Sequence, residues 1–201
     1  LLMLLTPFMA SLGGRLGTKA QEVFGPLTSA ELPDEKAPKL EDHVIIIGYG
    51  PVGRRLARVL RKTGIPFIVI DLNPQSIREA REEGINAVYG DATRPHVLEV
   101  AGVEHAKLCV VAINDREATV RTVHNAAYEN PTLQIIARAD FLDDVDRLHD
   151  AGAEIVVPTE IETAVRLFGD VLHAYRVPSD EVTRHIREVR ANDYRLICDP
   201  E

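Results

Sequence analysis

Two cysteines, Cys109 and Cys198, are too few and too far apart for a disulfide framework or a cysteine metal site. That scarcity suits a reducing compartment. Cys109, inside the apolar run Leu108–Ile113, reads as a buried core thiol. The chain also lacks any block of lysine and arginine. With a net charge of −8, it is not built for a nucleic-acid partner. It has no run of about 20 apolar residues, the length a membrane helix needs. The opening stretch Leu1–Leu12 (LLMLLTPFMASL) is too short to span alone, and no basic segment precedes it as in a signal peptide. Two readings stay open for residues 1–12. One is the end of a truncated transmembrane helix, favoured because residues 1–5 are all Leu or Met. The other is an amphipathic arm that is disordered or packs on a partner chain. Internal repeats and low-complexity tracts are absent too.

What the chain does have is a globular balance, 45% apolar and 27% charged, and one concentrated motif. His43 to Asp71 reads HVIIIGYGPVGRRLARVLRKTGIPFIVID. An apolar run, Val44–Ile47, enters Gly48-Tyr49-Gly50-Pro51-Val52-Gly53. A basic amphipathic helix pattern follows, and a second apolar run, Phe67–Ile70, ends in Asp71. Strand, tight turn, helix, strand and terminal acid together make a dinucleotide-binding fingerprint. Gly48 frees the turn, Gly50 lets backbone approach a pyrophosphate, and Gly53 lets the helix pack on the strand. Pro51 suits a first helical turn, whose free N–H groups and positive dipole end point at phosphates. Asp71, eighteen positions after Gly53, fits the acid that binds ribose hydroxyls. Its charge would repel a 2′-phosphate, so NAD(H) or another adenosine nucleotide without that group is expected rather than NADP. Arg54 and Arg55, beyond the turn, read either as phosphate contacts or as a solvated basic face.

Residues 13–42, rich in glycine and proline and charged in ELPDEKAPKLED, read as a linker. A compact nucleotide-binding domain is expected over 43–158. Val44–Ile47, Phe67–Ile70, Ala87–Tyr89, Leu108–Ile113, Gln134–Ala139 and Ile155–Val157 read as six strands. Arg54–Lys62, Asn73–Glu83, His96–Ala101, Arg116–Glu129 and Leu142–Ala151 read as the helices between them. Such alternation predicts an α/β, Rossmann-like doubly wound parallel sheet with a ligand site beyond the strand carboxyl ends. Beyond it, Glu160–Tyr175 and a segment from Ser179 or Asp180 to Asn192 predict a C-terminal helical extension over 159–201. Its apolar stripes cover either their own sheet or a second copy of the domain.

Four more segments complete a pattern. Gly90-Asp91-Ala92-Thr93 follows the third strand, Ala112-Ile113-Asn114-Asp115 ends the fourth, Ile136-Ala137-Arg138-Ala139 lies in the fifth, and Val157-Pro158-Thr159-Glu160 ends the sixth. With the glycine turn and Asp71, the stretch from Asp42 to Tyr175 resembles the regulator of potassium conductance domain (RCK), also called TrkA-N or KTN. LTPFM followed by a Pro-rich linker is similar to the junction in Kef-type monovalent cation:proton antiporters, where the last membrane helix leads into this cytosolic domain. The resemblance implies a regulatory domain, usually a homodimer, at the cytoplasmic face of the bacterial inner membrane. It would gate a transmembrane antiporter domain of the same polypeptide through NAD(H) or AMP, ADP or ATP. It also implies that Gly48, Tyr49, Gly50, Pro51, Val52 and Gly53 hold phosphates and that Asp71, beside Leu72 and Asn73, holds ribose hydroxyls. Asp91 and Ala92 would face the adenine, the carboxylate accepting from its exocyclic amine. Asn114 and Arg138, at strand carboxyl ends, are placed to reach the phosphate or nicotinamide side. The residue types alone also allow Asp91 to cap the following turn and Arg138 to pair with Asp140 or Glu160. Arg138 matches a position near the glutathione pocket of Kef-type domains, but the remaining pocket residues are not matched.

An oxidoreductase would need a substrate domain and a proton-transfer group beside the nicotinamide. Of the seven histidines, His43 precedes the first strand and the others sit in helices or at their edges. The nucleotide is therefore expected to be an effector that changes the hinge between the sheet and the helices after Pro158. A fragment of a soluble NAD-dependent oxidoreductase and a dimerisation module with a vestigial site are the competing readings. Asp71→Ala and Gly50→Val are each expected to abolish nucleotide binding with the fold intact.

Overall fold

The computed structural model describes residues 39–191. The expected membrane-helix end, most of the linker and residues 192–201 lie outside the described residues. Six parallel strands form one sheet: β1 (His43–Ile47), β2 (Phe67–Asp71), β3 (Ala87–Tyr89), β4 (Ala106–Val111), β5 (Gln134–Ala139) and β6 (Ile155–Pro158). Their order is β3-β2-β1-β4-β5-β6. The order reverses between β1 and β4, which is the crevice where such sheets bind ligands.

The strand sequences explain the sheet. Residues buried on both faces need no polar alternation, and the five residues of β1 are all buried. Ile45 and Ile47 enter one core layer with Ile68, Ile70 and Val123. Val44 and Ile46 enter the other with Ala57, Leu60, Phe67 and Val69. Helices α1 (Pro51–Thr63) and α2 (Pro74–Glu82) supply that second layer. Helices α3 (Pro95–Val100), α4 (Arg116–Glu129) and α5 (Val145–Asp150) cover the first. Pairing is in step along β1, from Val44↔Phe67 on one side and Val44↔Leu108 on the other.

Two expectations are corrected. His43 does not precede the first strand but begins it, paired with Ala106 and 0% exposed. Its Nε2–H donates to the Ala101 carbonyl at 2.9 Å, which draws it into the sheet. The helix expected over Leu142–Ala151 begins as a 3₁₀ turn, Leu142–Asp144, before α5. The buried Asp144 carboxylate is held by Arg116 Nε and Nη2 at 2.8 and 2.5 Å, which pins that turn to α4.

The C-terminal extension is a helical pair, α6 (Thr159–Ala174) and α7 (Ser179–Ala191). Val165 and Val189 meet inside it, flanked by Ile161 and Ile186. Gly169 admits the close approach: a Cβ there would lie 3.2 Å from Ile186 Cδ1. Arg190 clasps Glu162 across the pair at 2.8 and 2.6 Å. Leu167, Val171 and Tyr175 of this extension stay exposed in the single chain. Among the described residues, no helix is long and apolar enough to cross a membrane.

Candidate nucleotide site

The glycine turn leaves β1 toward α1. Gly48 has φ +98° and donates its N–H to the Ile70 carbonyl at 2.8 Å. A Cβ there would be strained by that φ and would sit 3.0 Å from Ile113 Cγ2. At Gly53 a Cβ would lie 1.9 Å from the Gly48 carbonyl oxygen, so only glycine lets α1 lie this close to the turn. At Gly50 a Cβ would meet nothing within 4 Å, which leaves open space in front of the turn. Helix α1 starts at Pro51 with no side-chain cap and no acidic residue in its first turn. By contrast, the Asn73 side chain caps α2 and the Asp115 side chain caps α4. The start of α1 thus combines uncapped amides with the positive end of a 13-residue helix, the physical requirement for an anion site.

Asp71, at the end of β2, closes this turn. Its Oδ2 accepts from Tyr49 N–H at 2.5 Å and its Oδ1 from Asn73 N–H at 2.7 Å. The carboxylate therefore organises the turn as well as facing the crevice, and Asp71→Ala would not leave the fold untouched as expected. The Tyr49 ring points away from the crevice into the core, 2% exposed, and burial raises its phenol pKa. What Tyr49 offers at the turn is backbone. The Arg54 guanidinium lies 4.9 Å from the centroid of that ring, donates to the Tyr49 carbonyl at 3.0 Å and pairs with Glu79 at 2.5 Å. Arg54, though partly exposed, is thus held by Tyr49 and Glu79.

Two cavities flank the turn. One, about 90 Å³, is bounded by Asp71, Leu72, Gly90, Asp91, Ala92 and Thr122. Asp91 Oδ1 accepts from Thr93 N–H at 2.9 Å and from Thr93 Oγ1–H at 2.7 Å. Those bonds hold its carboxyl below the usual carboxylate range. The turn-capping role is therefore real, and it leaves Oδ2 to Arg94 at 3.9 Å, with Arg121 also lowering the carboxyl. The other cavity, about 770 Å³, runs from Pro51 and Val52 past Ala112, Asn114 and Arg138 to α6. Arg138 is fixed there by Asn114 Oδ1, by Asp140 at 2.5 Å and by Thr159 Oγ1 at 2.9 Å. Its ion pair is with Asp140.

The structure thus places Asp71, Leu72, Asp91 and Ala92 around the smaller cavity, and Asn114 and Arg138 with Pro51 and Val52 of the turn around the larger one. Asn73 lines neither cavity, and its side chain accepts from the Gln75 amide of α2 at 2.9 Å. Sequence reasoning missed Thr93, Thr122, Thr159 and Arg166 as wall residues. Thr122 carried a signal, being a polar residue on the inward stripe of α4 with Val123 and Ala126. Among the described residues, no group of three His, Cys, Asp or Glu side chains is placed to hold a metal ion.

Comparison with known proteins agrees with this architecture. The model of the TrkA-N domain matches residues 44–159, more than half of the chain. The chain belongs to the TrkA-N family. This TrkA-N chain is 34% identical over 192 residues to the glutathione-regulated potassium-efflux system protein KefC of Cronobacter sakazakii, covering 96% of this chain and 30% of that protein. It superimposes on the AMP-bound form of the Kef C-terminal domain of Shewanella denitrificans with a TM-score of 0.64 and 28% identity, over 77% of this chain and 96% of that one. It superimposes on the GsuK channel bound to NAD with a TM-score of 0.57 and 27% identity, over 84% of this chain and 29% of that one. The TrkA-N chain spans between 16% and 30% of the length of the first curated relatives it matches.

Proposed function

We propose that this TrkA-N chain is the cytoplasmic regulatory part of a potassium:proton antiporter and that an adenine nucleotide is its effector. The observation that carries the reading is the uncapped start of α1 beside Asp71, set between two cavities. Phosphates take the amides after Gly50, ribose hydroxyls take Asp71, and the base enters the smaller cavity between Leu72 and Ala92. The larger cavity has room for the second half of a dinucleotide near Asn114 and Arg138. NAD(H) fills both, whereas AMP, ADP or ATP fill the adenosine side. The AMP-bound Kef domain and the NAD-bound channel, as similar structures, support this choice of ligands.

Regulation, not hydride transfer, is the role the walls favour. Among the described residues, neither cavity is lined by histidine, cysteine, lysine or tyrosine, and the carboxylate at the larger cavity, Glu162, is engaged by Arg190 at 2.8 and 2.6 Å, which disfavours it as a proton-transfer group. An effector acts by binding two arrangements unequally. The larger cavity lies between the glycine turn and Thr159, Glu162, Thr163 and Arg166 of α6. Nucleotide on the turn biases how α6 sits on the sheet, and residues 159–201 carry that bias to a second copy through the exposed Leu167, Val171 and Tyr175. Residues 1–42 then pass it to the membrane domain of the same polypeptide.

Calorimetric titration with NAD, NADH, AMP, ADP and ATP tests the site. Binding of at least one, abolished by Gly50→Val, is expected. Absence of heat with all five overturns the nucleotide reading. Potassium efflux from vesicles holding the full-length antiporter tests the gate, and flux indifferent to the nucleotide that binds would leave a site without a regulatory role.

A further inference from the structure

Helix α4 carries two buried threonines that use their hydroxyls differently. Thr119 Oγ1–H donates to the Asp115 carbonyl four residues back, at 2.7 Å, a common outlet for a helical threonine. Thr122 is 0% exposed and its Oγ1 has no hydrogen-bond partner. The same residue lines the 90 Å³ cavity together with Leu72, Asp91, Ala92 and the apolar residues Ile47, Ile70 and Ile113. Buried polar groups in native folds are matched by protein, water or ligand. An unmatched hydroxyl at a cavity wall is therefore a place where something docks.

We propose that Thr122 reads the base: its hydroxyl bonds the ring edge of an adenine seated in this cavity. The inference rests on the nucleotide reading above and goes beyond it by naming the group that selects the base. The chemistry is complementary. An ionised Asp91 is acceptor only and meets the exocyclic amine, while the Thr122 hydroxyl donates to a ring nitrogen. The isoleucine floor accepts the flat faces. Guanine or hypoxanthine would present a carbonyl oxygen to the Asp91 carboxylate and leave it unpaired. Asp71 is already committed to the turn and sugar side, so the two ends of the nucleoside are held by different residues.

The empty protein carries a cost that the ligand relieves. Removing the hydroxyl while keeping the shape therefore has opposite effects on stability and affinity. Thr122→Val should melt higher than wild type without nucleotide and bind AMP about 2- to 13-fold more weakly, the equivalent of one neutral hydrogen bond. Thr122→Ser should keep the wild-type affinity. The test is calorimetry of the 201-residue chain and both variants with AMP, with inosine monophosphate and with ribose 5-phosphate, alongside thermal melts without ligand. Wild type should prefer AMP to inosine monophosphate, and the loss in Thr122→Val should vanish with ribose 5-phosphate, which has no base. Equal AMP affinity in Thr122→Val and Thr122→Ser would overturn the inference, as would an equal loss for ribose 5-phosphate. If wild type binds no AMP, the nucleotide reading fails first. If wild type binds AMP and Thr122→Val binds as well, only the role of Thr122 fails.

Discussion

Replacing Gly53 with alanine should separate the packing job of the glycine turn from its ligand job. In an ordinary helix, alanine is favoured over glycine by about 1 kcal/mol. At position 53 the new Cβ would stand 1.9 Å from the Gly48 carbonyl oxygen and 3.4 Å from Ile46 Cγ2. The nearest obstacle is backbone, so no side chain can swing away. Helix α1 must lift from the turn by roughly 1 Å to restore contact distance, and a gap of that order forfeits a quarter to a half of the dispersion at the seam. That seam includes Tyr49, Ala57 and Leu60. Overpacking against a fixed layer costs up to about 3 kcal/mol. After the gain in helix propensity, a net loss of about 2 kcal/mol remains. Gly50→Ala is the control. It has φ −74° and open space around its Cβ, so stability should stay within about 0.5 kcal/mol of wild type. The methyl group would instead occupy the space through which a phosphate approaches, and AMP affinity should fall at least about tenfold, or 1.4 kcal/mol. Urea unfolding followed by circular dichroism, with unchanged m-values, reads the first quantity; calorimetry reads the second. Wild-type stability in Gly53→Ala would refute the packing argument. Wild-type affinity in Gly50→Ala would refute the ligand argument.

Asp71→Ala strips the acceptor from the Tyr49 and Asn73 amides; a stability loss of about 1–3 kcal/mol should accompany the loss of nucleotide affinity. Asp71→Asn keeps one acceptor oxygen and should recover part of the stability; two variants of equal, undiminished stability would contradict this role. Asp91 has its folded pKa lowered by Thr93, so its contribution is full above the unfolded carboxylate pKa of about 3.9 and is lost as pH falls through the lower folded value. The stability gap between wild type and Asp91→Asn should stay level from pH 8 to about 5 and close below about 4; a gap that closes near neutrality would count against it. Burial pushes the Cys109 thiol up to about 12. In a Cys198→Ser background at pH 8 it should react with a disulfide reagent only at the rate of unfolding, and fast stoichiometric labelling of the native protein would contradict that burial.

The sheet was legible because its strands are short runs of β-branched residues ended by glycine, proline or acid, and buried parallel strands need no other code. Gln134–Ala139 and Arg116–Glu129 fall where the periodicity put them. The glycine turn was legible for a related reason: Gly48 and Gly53 answer to backbone geometry that the surrounding pattern already implies. What escaped notice depends on contacts between distant segments. Arg54 meets Glu79, 25 residues away, and Arg116 meets Asp144, 28 residues away. No local pattern announces either pair. The second of them sits at the end of the 3₁₀ turn Leu142–Asp144, where a longer helix was expected. Asp71 stood out in the sequence as a candidate acid at the end of the second strand, but its hold on the Tyr49 amide appears only once the turn is folded back over β2. Thr122 lies within a helix the sequence predicts, but that its hydroxyl is buried and unpaired and that the residue lines a cavity depends on packing between segments.

A crystal structure of the chain with AMP tests the nucleotide site most directly. The phosphate should lie within hydrogen-bond distance of the amides that open α1, the ribose hydroxyls on Asp71, and the base between Leu72 and Ala92. An AMP molecule held elsewhere, with those amides left to solvent, would contradict it.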